Sequence, residues 1–357
     1  MVSAIVAVRN GDSHLERILD QLCSQEYPES KLEIIVIDDG LTNSSRVMVN
    51  ELAERDQRLR LVDSISGDQQ LAYKKRALDA GIRQSKGELL LFTDVDCQVG
   101  PHWVSTMVSY FMPGVDYVIG WSQVAPQAGL RLGDEFPDAD NPVTLFEQLD
   151  FLMLMLAARG ATLMGTPLAS TGQNQAYRRA VYDRAGGFEA LASRLQGDDS
   201  LFLQVSRKRA RARAVFATHP DSWVVSDPAS SLEELLFQRT RWAGDAVAMW
   251  RFNPAFLPIP VATFGSNALI IVLALAAIVE SGVVLPVLIP GILLKALLEG
   301  IFLWRGAKIS SAGHLRRHFP LWFLLQIPYI TIIGLASFWG NRLPWRRRSA
   351  TKMTEND

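Results

Sequence analysis

The sequence predicts an α/β protein: a mostly parallel sheet with flanking helices, followed by a C-terminal α-helical membrane region. Three observations carry this. Residues 89–97, LLLFTDVDC, run an apolar stretch into two acids. That is the pattern of a strand buried on both faces, ending where open α/β sheets bind ligands. Around it, strand-like and helix-like stretches alternate, each closed by polar residues, as when crossover helices join parallel strands. After Asn253 the composition changes to three long apolar segments, each near the ~20 residues that cross a bilayer.

In chain order, VSAIVAV at 2–8 is apolar and β-branched, a buried strand. A turn at 9–12 leads to a helix over 14–24, capped by Ser13, with Leu15, Ile18, Leu19 and Leu22 on one face. IIVI at 34–37 is the second strand, closed by Asp38, Asp39 and Gly40. A helix follows over 46–58, then a short strand at 59–62 and a helix over 74–84 that turns through Lys86 and Gly87 into the central strand. Residues 102–111 read as a helix and 117–120 as a strand. The stretch 146–164 is rich in Leu, Met and Ala but carries Glu147, Asp150 and Arg159, too much charge for a spanning helix. It fits an amphipathic helix near a membrane surface or acceptor site, and equally an ordinary core helix. Residues 172–179 (GQNQAYRR) and Gly186-Gly187-Phe188 read as polar turns. Gly197-Asp198-Asp199 precedes a helix over 200–208, 214–217 is an edge strand, and a helix over 232–250 carries Gln238, Arg239, Arg241 and Trp242.

The apolar segments cover 261–279, 283–304 and 319–340. The first and third are free of charge. The second holds Lys295 and Glu299, spaced to pair across one helical turn. Three such segments in succession argue against the core of a soluble protein. Basic residues mark the cytoplasmic flank of a span. The loop at 305–318 holds Arg305, Lys308, Arg316 and Arg317, and the tail holds Arg342, Arg346, Arg347, Arg348 and Lys352. With loop and tail on one side, the third segment would enter the bilayer and turn back at Pro328, the reading preferred here; the alternative is that it crosses and leaves the tail outside in spite of its charge. The organisation expected is a cytosolic domain over 1–230, an interfacial helix over 231–256, a membrane region over 257–341 and a basic tail over 342–357. The location expected is the cell (inner) membrane, multi-pass.

Among 357 residues the net charge is -1, so nothing points to nucleic acid. Cys23 and Cys97 cannot make a disulfide framework, and no Cys/His cluster suggests zinc. A reducing, cytosol-facing compartment follows. The strand-like stretch after Met1 does not read as a cleavable signal peptide. Asp94 and Asp96 at the end of the central strand have two readings: solvated turn acids, or ligands of a hard divalent cation that also holds a diphosphate.

The order and spacing of VSAIVAVRN, VIDDG, YKKRALDAGI, LLLFTDVDC, TGQNQAYRR, GGF, GDDSLFL and QRTRW resemble the membrane-bound family 2 glycosyltransferases. That group includes ceramide glucosyltransferases and hyaluronan, chitin and cellulose synthases. The resemblance covers nearly the whole chain. It implies a GT-A fold, a nucleotide-sugar donor (a UDP-sugar), Mg2+ or Mn2+, and inversion at the anomeric carbon. By the same resemblance Asp38 or Asp39 reads the base, and Lys74 reaches the diphosphate or nucleotide. Tyr73 stands where the family usually has glycine, so the local backbone is expected to differ. Asp96 is the implied metal ligand, and Asp94 lies by the ribose or the metal. Asp199, with Asp198 beside it, is the implied general base. Gln238 and Arg241 bind donor, and Trp242 offers a wall to the acceptor; all three share one helix face by spacing. A polysaccharide synthase needs a channel, and three spans look too few to enclose one in a single chain. Transfer to a lipid acceptor at the cytoplasmic face is therefore preferred over a processive synthase acting in a complex. A non-catalytic nucleotide-binding scaffold would not need the intact acids and Arg241.

Overall fold

The computed structural model describes residues 1–9, 12–125, 141–194, 196–310 and 312–337. These fall into two compact units. The first is Met1–Ala229 with Leu297–Trp322. The second runs over Ser230–Ala296 and from Phe323 onward.

In the first unit the elements are β1 (Val2–Val8), α1 (Asp12–Cys23), β2 (Leu32–Asp38), α2 (Asn43–Arg55), β3 (Leu59–Asp63), α3 (Lys74–Gln84), β4 (Leu89–Phe92), β5 (Cys97–Val99), α4 (Trp103–Ser109), β6 (Tyr117–Ile119), β7 (Ser122–Val124), α5 (Pro142–Leu163), β8 (Gln175–Arg178), α6 (Arg179–Ala185), α7 (Ser200–Arg209), β9 (Ala214–Phe216) and β10 (Val224–Ser226). A seven-stranded sheet runs in the order β3-β2-β1-β4-β8-β6-β9. The first four strands are parallel to one another, and β8 is antiparallel to both β4 and β6. Every residue of β2 is buried, and so are all but one of β1, because crossover helices cover both faces.

Register decides where the acids stand. Val8 of β1 pairs with Asp38 of β2, so those strands end level. β4 stops at Phe92, opposite Ile5, and leaves the sheet early. The strand thus covers the four apolar residues of 89–97 and ends just before the acids, as expected. Asp94 turns the chain, its carbonyl accepting from the Cys97 N–H at 3.2 Å. Cys97–Val99 then joins a second, three-stranded sheet of order β5-β10-β7. The expectation of a polar turn over 172–179 is also overturned in part. Gln175–Arg178 is β8, in the middle of the large sheet. Its Gln175 is fully buried and satisfied by polar partners, so no apolar alternation announces the strand.

α5 settles the two readings of 146–164 in favour of a core helix. It buries Glu147 and Asp150 together with Leu149, Phe151 and Leu152. Glu147 Oε2 accepts from the Ala229 N–H at 2.8 Å, which satisfies a buried acid. α2 begins three residues earlier than expected, because Thr42 caps it by accepting from the Ser45 N–H. Thr42→Ala is expected to lower stability by about 1 kcal/mol. A shift in denaturation midpoint followed by circular dichroism checks this.

The remaining helices are α8 (Leu232–Phe252), α9 (Pro258–Val279), α10 (Ser281–Gly306) and α11 (Phe319–Ser337). Three helical segments are long and apolar enough to cross a membrane: Pro254–Val279, Ser281–Gly306 and Gly313–Ser337. At ~1.5 Å per residue even α11 spans close to the ~30 Å hydrocarbon layer. Their apolar side chains, such as Val272, Leu275, Ile278, Leu293 and Leu294, are exposed, an arrangement suited to lipid rather than water. α11 approaches α9 closely: a Cβ on Gly334 would meet Phe264 at 2.2 Å. The expected turn-back at Pro328 is not found. α11 runs through Pro328 as one helix, and Thr331 Oγ1 donates to the Ile327 carbonyl at 2.8 Å in the same stretch. Proline removes one backbone donor, which frees the Leu324 carbonyl without ending a helix that packs against a neighbour. Residues 338–340 of the expected third span, and the basic tail, lie outside the described residues.

Candidate functional site

The carboxyl ends of β1, β2 and β4 form one edge of the large sheet, and the predicted acids of the first unit gather there. Asp38 is buried and committed to its own turn. Its Oδ1 accepts from the N–H groups of Gly40 (3.0 Å) and Leu41 (2.9 Å), and its Oδ2 pairs with Arg46 Nε at 2.6 Å. Asp39 lies between two guanidinium groups instead. Arg9 Nη1 is 3.6 Å from one of its oxygens and Arg76 Nη2 is 3.8 Å from the other. Arg9 also stands 5.7 Å from the ring centre of Tyr73.

Tyr73 adopts φ 52° and ψ -132° immediately before α3. A bulky side chain rarely takes that conformation, and glycine takes it freely. The backbone here takes a conformation that favours glycine, and tyrosine occupies it. Strain of this kind clusters at ligand sites. It delivers Lys74 to the acids: Lys74 Nζ donates to Asp94 Oδ1 at 2.5 Å and lies 3.5 Å from Asp198 Oδ2. Burial opposes the charge on Lys74, but Asp94 and Asp198, helped by Asp199, raise its pKa above the ordinary lysine value. The ammonium is therefore kept.

Asp96 shows the opposite imbalance. Burial first, then the nearby Asp94, push its carboxyl above the ordinary range, with Lys74 only partly offsetting them. A divalent cation would remove that penalty. Among the described residues no three His, Cys, Asp or Glu side chains are grouped to hold a metal by themselves. Two carboxylates of hard oxygen donors suit Mg2+ or Mn2+, which take the rest of their shell from phosphate and water. The residues present fit such an ion.

Asp198 is buried, and its backbone carbonyl accepts from Gln175 Nε2 at 3.0 Å. Asp199 caps α7, its Oδ1 accepting from the Ser200 N–H at 2.5 Å. Gly172 closes the cluster from above the acids. A Cβ there would stand 3.1 Å from Lys74 Nζ and 3.2 Å from Asp198 Oδ2. Gly172, Gln175, Arg9 and Arg76 were not singled out as site residues from sequence, although each lies within one of the motifs quoted above. Gly172→Val is expected to displace Lys74 and lower turnover by about 10²-fold, the scale of a ~1 Å misplacement. The thermal midpoint should stay near that of wild type, which calorimetry checks.

In the second unit, α8 carries the other predicted residues. Arg239 Nη1 donates to Gln238 Oε1 at 2.7 Å, and Arg239 Cζ lies 4.2 Å from the Trp242 ring centre. Spacing alone put Gln238, Arg241 and Trp242 on one face. The structure adds Arg239, buried, as the group that joins Gln238 to Trp242.

A largely parallel sheet with β8 reversed, and acids at its carboxyl edge, defines a GT-A glycosyltransferase fold. The chain belongs to glycosyl transferase family 2, whose description matches residues 3–184. It is similar to the glycosyltransferase AglE of Haloferax volcanii, 33% identical over 120 residues, or 33% of this chain and 38% of that one. It is also similar to the probable glycosyltransferase YdaM of Bacillus subtilis, 24% identical over 267 residues, or 72% of this chain and 58% of that one. The matches thus span well under two thirds of these relatives' lengths. The mannosyltransferase PcManGT of Pyrobaculum calidifontis, solved with GDP-Man and Mn2+, shares the fold at TM-score 0.55. It is 18% identical, over 94% of this chain and 86% of that one.

Proposed function

We propose that this protein is a membrane-bound inverting glycosyltransferase that moves a sugar from a UDP-sugar to a lipid or glycan at the cytoplasmic membrane face. The observation that carries this reading is the cluster of Lys74, Asp94 and Asp198, with Asp96 and Asp199 beside it, at the carboxyl edge of the sheet.

Inverting transfer is a single displacement with one general base and no covalent intermediate. Asp199 takes the proton of the acceptor hydroxyl, whose oxygen forms the new bond to the anomeric carbon as the bond to the diphosphate breaks. Asp198 is held beside Lys74, and Asp199 stands next to it at the start of α7, which supports the reading of Asp199 as the base. Lys74 carries positive charge toward the leaving diphosphate. When bound, Mg2+ or Mn2+ supplies Lewis-acid stabilisation of that diphosphate, with Asp96 as the chief holder and Asp94 beside it. By the family resemblance, Gln238 and Arg241 are assigned to the donor and Trp242 to the acceptor. Arg241→Lys is expected to weaken UDP binding and slow transfer, because a point charge does not replace a planar fork on a diphosphate. UDP titration calorimetry checks it, and unchanged affinity and rate would refute the contact.

Of the two adjacent acids at the end of β2, Asp39 is the base reader. Arg9, Asp39 and Arg76 present donor, acceptor and donor in sequence. Uracil offers the complement: a carbonyl, an N–H and a carbonyl. Guanine has two adjacent N–H donors and matches less well. α9, α10 and α11 hold the enzyme in the bilayer, next to lipid acceptors. The deciding experiment incubates purified protein with a panel of UDP-sugars and GDP-mannose, a divalent cation and native lipid extract. UDP release with a glycosylated lipid is expected; turnover of GDP-mannose alone would overturn the uracil assignment.

A further inference from the structure

We propose that Lys75 is a positioning residue that holds the Asp198–Asp199 turn in place. It neighbours Lys74 at the start of α3, but its ammonium goes elsewhere. Lys75 is fully buried, and its Nζ donates to the carbonyl oxygens of Arg194 (2.6 Å) and Gln196 (3.1 Å). Those carbonyls belong to the segment leading straight into Gly197, Asp198 and Asp199.

The turn is gripped on its downstream side by several bonds. Gln175 Nε2 donates to the Asp198 carbonyl at 3.0 Å. Ser200 Oγ donates to the Ser170 carbonyl at 2.8 Å and accepts from the Ser170 N–H at 3.0 Å. Upstream, Lys75 supplies the grip on the backbone. Between the two sides stands Gly197 at φ 106°, where a Cβ would meet Leu201 at 2.7 Å. That conformation belongs to glycine and makes a natural pivot. Releasing the upstream carbonyls lets the turn rotate about Gly197, which moves Asp198 against Lys74 and Asp199 against the acceptor. A buried ammonium is costly to desolvate, and here its donors are spent on ordering the turn that carries the base. One helix end thus serves both sides of the reaction. Lys74 meets the acids by charge, and Lys75 sets their backbone.

The inference rests on the transfer reading above, in which Asp199 is the base. The test uses the full chain in detergent with Lys75→Met, which keeps length and loses the donors, and Lys75→Gln, which keeps an N–H donor without charge. Lys75→Met is expected to lower kcat by about 10²-fold at unchanged donor KM. Its amides over 197–201 should exchange faster, with α3 unaltered, and Lys75→Gln should recover part of both effects. Wild-type kcat in Lys75→Met, or lost kcat with unchanged exchange at the turn, overturns the proposal. If Lys75→Met does not fold, Lys75→Gln is judged by the same two measures. If the wild type turns over no nucleotide-sugar, the transfer reading has failed, and the exchange comparison alone decides whether Lys75 holds the turn.

Discussion

Asp199→Asn is expected to stop transfer and leave donor binding intact. The amide is nearly isosteric and retains a carbonyl oxygen for the Ser200 N–H, so the cap of α7 survives. It cannot accept a proton from an incoming hydroxyl. Loss of a general base removes roughly 10²–10⁴ in rate, equivalent to about 3–5 kcal/mol of barrier. The measurements are nucleotide release at saturating acceptor and UDP-sugar affinity by calorimetry. A near-normal Asp199→Asn beside an inactive Asp198→Asn would exchange the roles of the pair. Turnover in both would end the single-displacement mechanism.

Removal of the divalent cation, or Asp96→Ala, is expected to abolish activity to a similar degree. Asp96 is half-buried, and desolvation and Asp94 raise its carboxyl above the ordinary range, so the proton and the cation compete for it. Lys74 alone cannot neutralise a departing diphosphate while it is paired with Asp94 and near Asp198. The cation provides several kcal/mol of charge stabilisation in sites of this type, a loss of 10³-fold or about that order. Mn2+ titration followed by paramagnetic resonance separates binding from turnover: Asp96→Ala should lose Mn2+ binding in the presence of UDP. Turnover that resists EDTA would sink the assignment.

Much of the site was legible because its signals are local. An apolar run broken by acids ends a buried strand wherever the chain goes next, so Asp94 and Asp96 could be placed at a sheet edge from sequence. α3 begins at Lys74, as its pattern predicts. α8 and the long apolar helices follow from periodicity and length, which need no partner to be read. The pair Asp38 and Asp39 shows the boundary. Adjacent identical residues carry no sequence signal of their roles, and the choice rests on which neighbours reach them. Arg46 and two backbone N–H groups fill Asp38, and Arg9 and Arg76 flank Asp39.

By itself, then, the sequence determined an α/β sheet with acids at its carboxyl edge, an Arg- and Trp-bearing helix, and three segments able to cross a bilayer. Only the tertiary structure decided that β8 lies inside the sheet, that α5 buries Glu147 and Asp150, that α11 continues through Pro328, and that Lys75 reaches the carbonyls of Arg194 and Gln196. The physical reason is common to the buried polar cases. Polar groups inside a protein are tolerated when hydrogen-bonded, and their partners here lie far along the chain: Asp198 for Gln175, Ala229 for Glu147, Arg194 and Gln196 for Lys75. Hydrophobic periodicity records which residues avoid water. It is silent about polar residues that leave water only because the fold brings them a partner.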